Sequence, residues 1–192
     1  MKNSQLTYSR LVGDRVVLRK LTPKDFGQML DIKPSPEYFY YIGEKQTNSV
    51  FSSRDRLRIE LESVASNPNI WFIFVNKQII GNAFFHNFEN NGRSAYFAIG
   101  IFEKRNWGKS YGYETITLLL VYGFTVLGLN IVNLTVLEYH DAAIYLYKKC
   151  GFSEVGRTES NVRINGEFAK EIVMQLARES YLANRTGGAK ID

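Results

Sequence analysis

The run Asn106-Trp107-Gly108-Lys109-Ser110-Tyr111-Gly112-Tyr113-Glu114 holds the residue types best suited to chemistry in this chain. An apolar, strand-like stretch from Ala95 to Phe102 ends just before it, and a long apolar, helix-like stretch begins at Glu114. A strand that stops in glycines at a helix start gathers unpaired backbone N–H groups and the positive end of a helix dipole at one spot. Small residues there let a ligand approach the main chain. That combination is a phosphate site, although a glycine-softened turn that binds nothing has the same local pattern. Gly108-Lys109-Ser110 also imitates the end of a nucleotide-binding P-loop, which needs a glycine five residues before Gly108. Position 103 is Glu, so that reading fails.

The flanking elements follow from local signals. Val16-Val17-Leu18 reads as a first strand, and Thr22-Pro23-Lys24-Asp25 starts a helix to about Ile32, with a threonine cap, proline at the first helical position and an acid at the third. Lys33 to Asn48, with Pro34, Pro36 and Tyr38-Phe39-Tyr40-Tyr41, is too irregular for a helix or a strand. It is a candidate substrate-facing loop, or a set of aromatics covering a core. A second helix runs from Ser52 or Ser53 to about Ser66, with Leu57, Leu61, Val64 and Ala65 on one face. Trp71 to Val75, Gln78 to Phe85 and Ser94 to Phe102 are three strand-rich runs, expected to be antiparallel. Thr115 to Leu127 is a helix apolar almost all round that stops at Gly128. Ile131 to Leu137 alternates as a strand, and Asp141 to Cys150 is a short helix ended by Gly151. Ser153 to Ile164 and Phe168 to Leu176 flank Asn165-Gly166, the strongest short-range hairpin signal in the chain.

With 192 residues, 45% apolar and 22% charged, the chain is long enough for a sizeable core and fits one domain, residues 1–183, with 184–192 expected as a mobile tail. No apolar run is long enough to span a membrane and the amino terminus is polar, so the expectation is a cytoplasmic protein with no membrane partner. One cysteine excludes an internal disulfide framework, and two histidines with it disfavour a Cys/His zinc site; no metal is expected. A formal charge of +5 favours anionic partners, but the basic residues are scattered. One anionic cofactor suits that excess better than nucleic acid does. Exposed sheet edges and abundant aromatics leave a homodimer open.

Ile101 to Glu114, followed after a long helix by Leu146-Tyr147-Lys148-Lys149-Cys150-Gly151-Phe152, resembles the GNAT superfamily of acyl-CoA-dependent N-acetyltransferases, in particular its RimJ/RimL and spermidine-acetyltransferase branch. Val17-Leu18-Arg19-Lys20-Leu21, Ile80-Gly81 and Ile164-Asn165-Gly166-Glu167-Phe168 also look like that branch, so the match covers about residues 14 to 182 in order. The resemblance implies an α/β (α+β) fold. Its central sheet is mixed and mostly antiparallel, splayed between two parallel neighbouring strands, with helices on both faces.

It also implies acetyl-CoA as the acyl donor and an amine as the acceptor. The family's pyrophosphate loop reads Arg or Gln, two residues, Gly, one residue, then Gly or Ala. Trp107, Ser110 and Gly112 stand at those three places. Trp107 still offers its backbone N–H, and Ser110 adds a Cβ where the main chain should come closest to phosphate but also a hydroxyl donor. The implied contacts are Trp107, Gly108, Lys109, Ser110, Tyr111, Gly112 and Tyr113 on the phosphates, with Lys109 as their charge partner, and Gly100, Ile101 and Phe102 on the pantetheine arm, as though it were an added strand. His140 stands where the family carries an asparagine that touches that arm, and Ala143 matches the small residue that lets the cofactor pass.

Tyr147 aligns with the tyrosine that such enzymes place near the thioester sulfur, where a phenol protonates the departing thiolate. It is the implied catalytic residue. Cys150 matches an apolar position and reads as a structural thiol. The sequence does not identify the base that deprotonates the acceptor; His86, Glu89 and Glu103 stand near the expected cleft mouth. Aromatic rather than acidic residues in the first loop put a protein or peptide amino terminus first, then a small amine or amino sugar, then a polyamine. A non-catalytic acyl-CoA-binding or protein-interaction domain on the same fold is the rival reading.

Overall fold

The computed structural model describes residues 10–43, 54–164 and 167–186. It is a mixed α/β arrangement of eight strands and six α-helices among those residues. In chain order they are β1 (Arg10–Val12), β2 (Val17–Arg19), α1 (Phe26–Asp31), α2 (Pro36–Ile42), α3 (Arg54–Ser66), β3 (Ile70–Val75), β4 (Gln78–Glu89) and β5 (Ser94–Ile101). There follow α4 (Tyr111–Thr125), β6 (Ile131–Leu137), α5 (Asp141–Lys149), β7 (Ser153–Ile164), β8 (Glu167–Ala177) and α6 (Arg178–Thr186). The strands hydrogen-bond in the order β1-β2-β3-β4-β5-β6-β8-β7. By contact density the chain divides into two compact units.

The first unit comprises Met1–Tyr40, Lys45–Phe84 and Ile99–Leu118. Its strands β1, β2, β3 and the first part of β4 are antiparallel neighbours. Leu21, Leu61, Phe72, Phe74, Ile79 and Phe102 form a buried cluster with Phe26, Met29 and Leu30 of α1 packed against it. The Thr22-Pro23-Lys24-Asp25 signal produces a single 3-10 turn before α1. Asp25 Oδ2 accepts the Thr22 N–H at 2.7 Å, closing a capping box, and the Arg19 guanidinium grips both Asp25 oxygens at 2.8 and 2.7 Å. That ion pair holds the Asp25 carboxyl far below the usual carboxylate range. Burial pulls the Lys20 ammonium down to about 8, while the Pro68 and Ile70 carbonyls and the face of Trp71 favour its charged form.

The stretch expected to be irregular after Lys33 contains α2. Pro36 opens it, the helical position at which a missing N–H costs nothing. The remainder of that stretch, from Glu44, lies outside the described residues.

The second unit comprises Tyr41–Glu44, Phe85–Ala98 and Leu119–Asp192. Ser94, Ala95 and Tyr96 of β5 pair in parallel with Ile131, Val132 and Asn133 of β6, as the intervening helix requires. β6 pairs with β8 along its whole length, from Ile131–Ala177 to Leu137–Glu171, and β7 with β8 as a long antiparallel hairpin. The Asn165-Gly166 turn lies outside the described residues, but Ile164 and Glu167 are paired on either side of it. α6 continues to Thr186, and residues 187–192 lie outside the described part.

Candidate functional site

In the first unit, the end of β5 and the start of α4 are joined by the residues singled out for phosphate. The Phe102 N–H donates to Ile80 O and its carbonyl accepts the Ser35 N–H, both at 2.9 Å, so both its main-chain groups are engaged within the protein. Because successive residues of a strand present their polar groups to opposite sides, Ile101 is the one that faces away from β4. Its carbonyl receives the Trp107 indole Nε1–H at 2.8 Å. Gly100 is covered by Tyr38 of α2. A Cβ at position 100 would lie 2.9 Å from that ring, so any larger residue there would have to displace Tyr38.

Gly108 (φ +69°) and Ser110 (φ +63°) both lie in the left-handed region. Positive φ at alternating positions turns successive N–H groups to one side, forming an anion nest. Ser110 accepts the first helical bond, from the Glu114 N–H at 3.1 Å, so the N–H groups of Tyr111 and Gly112 precede the first hydrogen bond of α4. The Glu114 carboxylate does not fill this nest. Its Oε1 accepts the N–H groups of Arg15 and Val16 at 2.8 and 2.9 Å, and its Oε2 lies 3.5 Å from Arg15 Nε. Gly108, Lys109 and Ser110 are exposed. Ser110, which brings a Cβ and a hydroxyl to this loop, is itself one of the two left-handed residues.

In the second unit the parallel register ends at Tyr96–Asn133, while β6 runs on for four residues bonded to β8. His140 and α5 follow directly from that freed end of β6. The His140 carbonyl accepts the Ala143 and Ile144 N–H groups, both at 3.0 Å, which fixes its backbone at the helix start. Its ring lies against Tyr41 with centroids 3.9 Å apart and planes 16° apart. Its Nδ1 is buried and has no hydrogen-bond partner among the described residues. Burial lowers the imidazole pKa, against an opposing pull from Asp141.

Tyr147 is 7% exposed, with its ring edge-on to Phe152. Burial, reinforced by Cys150, pushes its phenol far above the ordinary tyrosine value, so the side chain keeps its proton across the physiological range. Cys150 itself is pushed up to about 11 by burial, which makes it an unreactive thiol.

Of the candidate bases, Glu103 is bound to Arg105 at 2.9 Å and Glu89 is exposed at the tip of β4. His86 sits 5.9 Å, ring to ring, from Tyr96 in the last pair of the closed register. Tyr38 over Gly100 and Tyr41 on His140 were not identifiable individually; the sequence offered only an aromatic cluster. Among the described residues no group of three or more His, Cys, Asp or Glu side chains converges as metal ligands, and no helix is long and apolar enough to cross a membrane.

Residues 15–153 match the model of the acetyltransferase (GNAT) domain, a span that draws on both units. An uncharacterised N-acetyltransferase, p20 of Bacillus licheniformis, is 26% identical over 176 residues, covering 89% of this chain and 97% of that protein. The spermidine N(1)-acetyltransferase of Escherichia coli K12 is 36% identical over 91 residues, covering 47% of this chain and 48% of that enzyme, so this match spans about half of either protein. The crystal structure of spermidine N-acetyltransferase from Vibrio cholerae in complex with CoA and spermine superimposes with a TM-score of 0.72 at 24% identity, covering 88% of this chain and 99% of that one. Proteins of this family use acetyl-CoA to acetylate amines. The mixed sheet with its short parallel pair and the extent of the domain match lead to one conclusion: the chain belongs to the GNAT family of N-acetyltransferases.

Proposed function

We propose that this protein transfers the acetyl group of acetyl-CoA to a primary amine by direct attack in a ternary complex, with residues 1–183 acting as one cytoplasmic N-acetyltransferase domain. The main chain of Trp107, Gly108, Lys109, Ser110, Tyr111, Gly112 and Tyr113 takes the pyrophosphate. Gly100 and Ile101 serve the pantetheine arm, and the role of Phe102 is reduced to shaping the strand end, since its own polar groups are engaged. Tyr147 returns a proton to the CoA thiolate, and Ala143 leaves room for the arm. The observation that carries the reading is the exposed pair of left-handed residues before α4, whose own first-turn carboxylate is directed elsewhere.

The acceptor we favour is a peptide amino terminus or a small amine carrying one positive charge. A polyamine needs carboxylates for its distal ammonium groups. The one acid of α2, Glu37, is paired with Lys104 at 2.7 Å. Spermidine stays in the panel because relatives over half their length bear that name.

The test is thiol release from acetyl-CoA against a panel of peptides, monoamines and polyamines, with Tyr147→Phe alongside. Turnover with one class, reduced by Tyr147→Phe while calorimetric CoA affinity holds, supports the proposal. CoA binding with no turnover for any amine favours a non-catalytic acyl-CoA-binding domain instead.

A further inference from the structure

We propose that His140 is the general base of the transfer, its Nδ1 taking the proton from the acceptor ammonium. This deepens, and rests on, the acetyltransferase reading above. A ring nitrogen that is buried and unpaired has lost its water without compensation unless something donates to it. A ligand N–H supplies that donor, and the reaction brings one to the acetyl group in the form of the amine itself. Tyr41 lies against a face of the imidazole, whereas the Nδ1 lone pair lies in the ring plane, off that face, at an atom that is buried and unpartnered.

Placement selects His140 over the other candidates. It directly follows the end of β6 that runs beyond the closed register, and ligands enter open sheets at the carboxyl ends of parallel strands. His86 stands beside the closed register and Glu103 is bound to Arg105. His140 caps the start of α5 and Tyr147 stands seven positions later within that helix, so one short element carries both the base and the acid.

The groups around the ring are Tyr41 from α2 and Tyr139 and Asp141 on either side in sequence. Burial and the positive end of α5 keep the imidazole neutral at pH 7, outweighing Asp141, so it is ready to accept a proton. The ammonium gives one proton to Nδ1, and the free amine attacks the thioester carbonyl. The C–N bond forms, the C–S bond breaks, and the thiolate takes the Tyr147 proton. The nitrogen then loses its second proton, Tyr147 is reprotonated, and one net proton leaves to solvent.

The experiment is the pH profile of kcat and kcat/KM for the wild type, His140→Asn and His140→Gln, with thermal melts and CoA titrations for each. The wild type should show an acid limb with an apparent pKa below the ordinary histidine value. Both variants should lose about 10²-fold in kcat at pH 7 with CoA affinity little changed. The deficit should shrink toward pH 10, where free amine is abundant without help. A wild-type profile with no such limb overturns the assignment whatever the variants do. So does either folded variant that keeps kcat and the same limb. A wild type that releases no thiol with any amine instead overturns the acetyltransferase reading, and this proposal with it.

Discussion

The Trp107 indole nitrogen donates to the carbonyl of Ile101 at 2.8 Å, tying the loop before α4 to the strand end that precedes it. This contact gives a purpose to a residue whose type departs from the arginine or glutamine of the related loops. Trp107→Phe keeps most of the ring packing and removes the donor. A loss of about 1 kcal/mol in stability is expected, together with a several-fold weaker Kd for CoA by calorimetry, since the loop is freed at one end. Unchanged CoA affinity would show that the loop holds its shape without that bond.

Ser110 pays for its left-handed backbone, and glycine adopts φ +63° without that penalty. Ser110→Gly is expected to raise stability by about 0.5–1 kcal/mol, the relief of strain being partly offset by the greater freedom of an unfolded glycine. A thermal melt reads this directly. CoA affinity should rise or hold if the main chain does the binding, and should fall if the serine hydroxyl contributes a donor.

Glu114→Ala removes the acceptor of two N–H groups, one of them on fully buried Val16. Leaving the part-buried Val16 donor unpaired, while water replaces the exposed bond to Arg15, is expected to cost about 1–3 kcal/mol in denaturant unfolding. Glu114→Gln, which keeps an acceptor oxygen, should recover much of the loss. Equal behaviour of the two variants would mean that charge, rather than the hydrogen bonds, fixes the helix start.

The Asp25 carboxyl is held low first by Arg19 and also by Thr22, against an opposing burial effect. Below about pH 4 the unfolded aspartate takes a proton while the folded one does not, so the stability it contributes is complete above that pH and declines as the medium is acidified. Asp25→Asn should therefore be destabilised by about 1–2 kcal/mol at pH 7, solvent screening included, with the gap to wild type narrowing steadily as the pH falls below about 4 in melting experiments. A gap independent of pH would refute the electrostatic account.

Because burial raises the Tyr147 phenol, its ionisation should not limit turnover below pH 10. Tyr147→Phe is expected to lower kcat by 10²-fold or more, at the scale of general acid catalysis, and nearly evenly from pH 7 to 9. An alkaline limb in the wild type that disappears in the variant would mean that the bound cofactor exposes the phenol.

The elements written in strong local patterns were legible in the sequence. β6 was expected over Ile131 to Leu137 and is found there, because its alternation matches one buried face. The Asn165-Gly166 signal likewise marked the β7–β8 hairpin, and Gly151 the end of α5. β1 was missed: three residues carry too little pattern to be told from a loop. α2 was obscured by two prolines, one of which in fact opens it. Asn87 to Gly92 were read as loop, whereas β4 continues through Asn87 to Glu89, with Asn87 at φ +46°. At the candidate site, residue types and spacing singled out the loop before α4 and Tyr147 as candidates. The unpaired state of His140 Nδ1 and its stacking on Tyr41 depend on packing between stretches about a hundred residues apart, which no local pattern encodes.

The Glu114 carboxylate and the Val16 N–H are 98 positions apart along the chain. During synthesis the amino-terminal strand must wait for more than half of the polypeptide to emerge before its clasp exists. The loop before α4 is therefore secured late. A nascent chain cut short of that glutamate would carry its first strands without the anchor that joins them to the start of α4.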